Sequence, residues 1–323
     1  MADSPFRSFL LSKDFQKAKA HLHAINLQEN LIPILNDLLF TSIKVNQSPN
    51  MTLHPVCVLN SIKNILGDDR NDPSITLLEF GMNYLMEFDF RENDQSSLDV
   101  AAKDGIGLTA FLGDLEDACQ QGKRNEAELI TAKTFLASDS SRGVMDSLCE
   151  LALQDSKRNS LFIFHFLRAY QFQELKEDNW AYTACVFDWM QQSTLPVPHD
   201  EVPIQPENIF DNIVKGGDLN WFGAVARLWE GDYVRIRSYQ RELSYGLSQA
   251  VSLEQDVEPI ENHWLNSDEP TKFIEATEKI VSANNSKSDR ADKIVILESV
   301  RALSRKASLE QKHILAARLD AHL

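Results

Sequence analysis

Apolar residues recur at intervals of three and four along almost the whole of this chain, and that spacing leaves one fold class open. In "LQENLIPILNDLLFTSIKV" (27–45) it lines up Leu31, Leu35, Leu38, Leu39 and Ile43, and in "SITLLEFGMNYLMEF" (74–88) it lines up Leu77, Phe80, Tyr84 and Phe88. A stripe of that period is the buried face of an amphipathic helix. The same pattern predicts helices over 52–67, 109–121, 125–137, 142–155, 159–176, 179–192, 207–215, 219–229, 233–249, 270–283, 289–305 and 308–322. With Gly 12 and Pro 11 in 323 residues, both far below the usual shares of about 7% and 5%, the chain lacks the turns that a β-rich fold needs. The expectation is an all-α protein of packed helix pairs.

At 43% hydrophobic and 25% charged residues, a chain of this length builds one large or two ordinary globular domains. Two stretches interrupt the helical pattern. "RENDQSSLDVAAKDGIG" (91–107) reads as a polar connection, and "QSTLPVPHDEVPIQPEN" (192–208) holds four of the prolines, which end helices and stiffen an extended segment. The second divides an N-terminal helical region (1–195) from a C-terminal one (208–323), or else is a surface loop of one continuous domain; "SANNSKSD" (282–289) is a further loop. A weak internal repeat is visible when "HPVCVLNSIKNIL" (54–66) is set over "DKIVILESVRALS" (292–304): Leu59 matches Leu297, Ser61 matches Ser299, and Lys63 faces Arg301.

The formal charge of −16 repels phosphate backbones and anionic headgroups, which argues against nucleic acid and membrane surfaces as partners. No run of about 18 apolar residues is present, and the first twenty residues do not read as a signal peptide, so a cytoplasmic location is expected. Cys57, Cys119, Cys149 and Cys185 include no Cys-x-x-Cys pair and read as buried free thiols.

Several polar residues fall on apolar helices. Thr52 is placed to cap the 52–67 helix, with His54 and Pro55 in its first turn. His54 then lies on the buried face, as a neutral imidazole available as ligand or base, with Cys57 nearby. Core packing is the competing account of His54. In "NSLFIFHFLRAYQFQEL" (159–175), His165 and Arg168 stand three apart on the most apolar helix and would adjoin as a donor pair for an anionic or carbonyl ligand, or else pair structurally. Trp180, Tyr182 and Trp189 in "WAYTACVFDWM" supply either flat walls for a planar ligand or core. Glu310 and His313 form a single Glu-x-x-His, without the second copy a di-iron site needs. His21, His23, His199, His263 and His322 sit in polar or terminal surroundings and read as solvated. Phosphate-binding glycine loops, a nucleophile elbow and H-E-x-x-H are all absent.

The order of "HPVCVLNSIKNILG", "FHFLRAYQFQEL" and "ADKIVILESVRALSR" along the chain resembles the layout of the questin oxidase-like family, helical proteins in which a histidine begins several apolar helices. His54 and His165 match two of those histidine positions, whereas Asp292 stands where the pattern has a third. The resemblance implies an NADPH-dependent oxygenation of an aromatic ketone in a pocket between helices. It would use His165 and Arg168 as carbonyl polarisers, His54 as general acid/base, and Cys57, Trp180, Tyr182 and Trp189 around the substrate. Two other classes stay open: a non-enzymatic helical scaffold whose partner is a protein, and a metal-dependent enzyme using His54, His165 and Asp292.

Overall fold

The computed structural model describes residues 4–105, 112–138, 142–250, 257–267 and 269–323. Seventeen α-helices form among them: α1 (Pro5–Leu11), α2 (Phe15–Ala24), α3 (Leu27–Ile43), α4 (Pro55–Leu66), α5 (Ile75–Leu85), α6 (Gln95–Asp104), α7 (Leu112–Gln120), α8 (Arg124–Ala137), α9 (Gly143–Leu153), α10 (Ser156–Phe172), α11 (Asn179–Met190), α12 (Pro206–Gly216), α13 (Leu219–Trp229), α14 (Ile236–Ser248), α15 (Thr271–Ser282), α16 (Lys287–Ser304) and α17 (Leu309–His322). Among the described residues, the extended backbone that pairs is one isolated bridge between Val45 and Phe90. The protein is all-α, as the periodicity predicts. No helix among the described residues is long and apolar enough to cross a membrane.

Three helices depart from the expectation. α1 and α2 arise where the apolar spacing predicts no helix; their signals are caps, with Ser4 accepting from Arg7 N ahead of Pro5 and Asp14 accepting from Lys17 N. α6 fills most of the stretch read as a polar connection, because burying only Leu98 and Ala101 suffices to seat it on α8. The helix read over 109–121 is described from Leu112 onward, and residues 106–111 lie outside the described set.

The centre of the molecule is α10, which packs against α4, α9 and α13. Phe162 to Leu167 are buried without a break, each large side chain worth about 1.5–3 kcal/mol of burial. α4 is equally enclosed and lies on α3, α10 and α16. The helices before and after the proline-rich stretch therefore meet directly. One apolar core includes residues from Phe6 to Leu319. The stretch itself runs extended from α11 to α12 and is tied to α14, with Val202 N donating to Ser244 Oγ.

The two similar segments, 54–66 and 292–304, belong to α4 and α16, which pack on each other. Asn64 Nδ2 donates to Glu298 Oε1 across that contact at 2.8 Å. α13 joins them closely at Gly223, where a Cβ would come within 3.3 Å of Ser299 Cβ.

Candidate functional site

His54 is itself the N-cap of α4, in place of Thr52: its Nδ1 accepts from Val56 N at 3.1 Å, and Pro55 takes the first helical position, where its missing N–H costs nothing. With Nδ1 an acceptor, the ring proton resides on Nε2, 3.7 Å from Cys185 Sγ. Phe162 and Trp189 meet the ring edge-on at centroid distances of 5.0 and 5.6 Å. Burial, and secondarily Arg91, pushes the imidazole down to about 3. It is neutral, as expected. Burial also holds the Cys57 thiol well above its ordinary range. Neither His54, Cys57 nor Trp189 lines any of the four principal cavities, so this cage is packed rather than open to a substrate.

His165 faces other company. Its Nδ1 accepts from Asn60 Nδ2 at 2.8 Å, its Nε2 is buried with no partner among the described residues, and burial pushes it down to about 3. Asn60 lies six residues beyond His54, or about 9 Å along the helix axis, so α4 holds the two imidazoles in separate settings. Asp292 is elsewhere again, exposed at a third place on α16, its carboxyl pushed up by partial desolvation and then by Asp289. The set His54, His165 and Asp292 is not brought together. Among the described residues no group of three His, Cys, Asp or Glu is arranged to hold a metal ion.

The remaining expected site residues are likewise dispersed. Arg168 is exposed and donates to Gln171 at 2.9 Å, rather than being buried beside His165. Trp180 gives its Nε1–H to Asp94 O at 2.6 Å and borders a polar recess with Arg91 and Asp188. Tyr182 is fully buried against Phe166 and Tyr170. Trp189 donates to Asn159 at 3.0 Å. These aromatics are walls of the core.

The largest principal cavity lies among the C-terminal helices. A cleft of about 1,050 Å³ is bordered by the α9–α10 and α12–α13 junctions, the end of α14, the first half of α16 and the end of α17. Its walls are shaped by local necessity. Asp218 caps α13 by accepting from Trp221 N at 3.0 Å, which sets Trp221 in the wall with its Nε1–H bonded to Ser156 O. Gly246 leaves no room for a Cβ, which would meet Ser156 Oγ at 2.6 Å. Arg318 of α17 donates to the carbonyls of Ile213, Val214 and Gly217 at 2.7, 3.0 and 2.6 Å, satisfying the open end of α12.

At this cleft stands His199, which the sequence presented as solvated. Its Nδ1 is 2.8 Å from Oε2 of Glu242, a residue with no exposed surface, and its backbone N–H also points to that carboxylate. Arg241 Nη2, at 2.9 Å, completes the carboxylate's company. The imidazole lies flat on Tyr245, 3.7 Å between centroids and 11° between planes. In the neutral ring a carboxylate on Nδ1 places the proton there, so that Nε2 carries the lone pair on a residue lining the cleft. An oriented imidazole of this kind can take a proton from a bound molecule and return it. The one trace in the sequence is Glu242 itself, an acid set among Tyr239, Leu243 and Leu247 on the buried side of α14.

Compared with protein-family models, with curated proteins and with solved structures, the chain finds no match in any of the three.

Proposed function

We propose that the protein is an enzyme acting on a small planar organic molecule held in the 1,050 Å³ cleft, with His199, oriented by Glu242, as general base and acid. The observation that carries this reading is the Nδ1-to-carboxylate contact of 2.8 Å, which fixes the imidazole's tautomer at the wall of the largest principal cavity. Trp221 and Tyr245 supply flat surfaces for an aromatic ligand. An oxidoreductase working on an aromatic ketone is one chemistry such a site would serve, because an imidazole beside a carbonyl assists its enolisation or addition. His54, His165 and Arg168 lie outside this cleft and have no part in it.

The lining does not suit NADPH. Asp155, Asp218, Asp289 and Asp292 face the cleft, Arg318 is committed to three carbonyls, and Lys293 is bound to Asp289 and Leu323 O. That leaves Lys157 against Asp155, Asp218 and Asp292 where a pyrophosphate would need cations.

The test is turnover of a panel of aromatic ketones and phenols, with and without reduced nicotinamide in air, followed by mass spectrometry. We expect a product with the natural protein that is lost in His199→Gln and in Ile296→Trp, which fills the cleft from a half-buried position. Product formation undiminished in both variants overturns the reading, and no binding of any compound favours the non-enzymatic scaffold.

A further inference from the structure

A second cavity, of about 790 Å³, opens where α4, α10, α13 and α16 converge, and it shares no lining residue with the large cleft. Its charge runs against that of the molecule. Seven of its lining residues are Lys or Arg and four are Asp or Glu, in a chain of formal charge −16. The acids are largely spoken for: Asp68 binds Arg301 and Arg305, Glu298 binds Arg227, and Glu230 binds Lys306.

What is left over is cationic. Lys63 is only 8% exposed, yet among the described residues its Nζ has neither an ion pair nor a hydrogen bond; it sits 5.0 Å from the centroid of the Phe172 ring. Burial, and then the nearby Arg168, pushes the amine down to about 7, against a weaker pull from Glu298. Among the described residues Arg168 donates to Gln171 and pairs with no carboxylate. Arg227 lies 3.8 Å over the Phe164 ring with Nη1 on Glu298, while its Nη2 is buried without a partner among the described residues. Burying the Lys63 amine without an acceptor, beside two guanidinium groups, is costly. The cost is offset when an anion enters among them, and guanidinium groups offer carboxylates and phosphates paired N–H donors.

We propose that this cavity binds a small molecule carrying a carboxylate or phosphate group, with Lys63, Arg168 and Arg227 as its cationic ligands. The volume is that of a small-molecule site, and the two aromatic rings hold Lys63 and Arg227 in place before any ligand arrives. The inference is independent of the His199 cleft.

The experiment is calorimetric titration and thermal unfolding of the full chain near neutral pH, with inorganic phosphate and citrate as probes and sodium chloride to hold ionic strength constant. We expect saturable binding of at least one probe, a rise in Tm that chloride does not reproduce, and at least tenfold weaker binding in both Lys63→Met and Arg168→Gln. Arg168 is exposed, so its variant folds even if the core variant does not. Phosphate-selective or citrate-selective binding assigns the anion class. A Tm rise matched by chloride, or binding in Arg168→Gln within twofold of the natural protein, overturns the proposal.

Discussion

His199 Nδ1 lies 2.8 Å from Glu242 Oε2 although the two residues are 43 positions apart, one in an extended connection and the other on the buried face of α14. That contact fastens the proline-rich stretch to the helix and orients the imidazole in one act. Its energetic signature is coupling. Glu242→Gln and His199→Gln each cost about 1–3 kcal/mol, and the double variant costs less than their sum by about 0.5–3 kcal/mol, measured by urea unfolding. Strict additivity would mean that the pair does not interact.

His54 caps α4 through Nδ1 inside a cage of Phe162, Trp189 and Cys185. Asparagine can supply the same acceptor to Val56 N, whereas alanine supplies none and leaves a void. His54→Ala is therefore expected to lose about 2–4 kcal/mol of stability, and His54→Asn roughly half of that, with turnover in the His199 cleft retained by whatever folds. Loss of turnover in a stably folded His54→Asn protein would restore a chemical role.

Acid destabilises this fold through its buried imidazoles. His54 and His165 titrate at about 3 in the folded chain against an ordinary 6.5, so between those values the unfolded chain binds more protons and stability falls as pH drops. Glu298 acts in the same direction lower down: its carboxylate is held at about 2 against 4.5, and the stability it contributes above 4.5 is lost as pH falls toward 2. Urea midpoints should decline progressively below about pH 6.5, and His165→Asn should flatten that slope. A level midpoint from pH 6.5 to 4.5 contradicts the account.

Arg7 pins α1 to the core. It is 5% exposed, donates to Asp37 at 3.0 Å and to Asp178 at 2.9 Å, and lies 4.0 Å over the Phe40 ring. Arg7→Met removes the cation these two buried carboxylates share, at an expected cost of about 3–5 kcal/mol. A chemical-denaturation change below 1 kcal/mol would show that α1 is not held this way.

The apolar period made α3, α4, α5 and most later helices legible, because a stripe such as Leu31, Leu35, Leu38 and Leu39 is read within one segment. α6 escaped, since two buried residues make no visible stripe, and α1 and α2 were announced only by the caps Ser4 and Asp14. The neutrality of His54 and the place of His165 on a buried helix were also readable. Their separation was not, because which side of α4 meets which side of α10 is a property of packing. The His199–Glu242 contact was hidden for the same reason: a histidine among prolines reads as solvated until α14 is laid beside it. Lys63 and Arg301 both line one cavity, a closeness that aligning their two segments does not predict.

The most direct measurement is NMR of the protein labelled with ¹³C at the histidine ring carbons, with His199 assigned through His199→Gln, while small aromatic ketones and phenols are titrated in. If the cleft is the site, the resonances of His199 and of His322, which lines the same cleft, shift together and saturate, while those of His54 and His165 hold still. Shifts at His54 or His165 with His199 unmoved, or no shift at any histidine, contradict it.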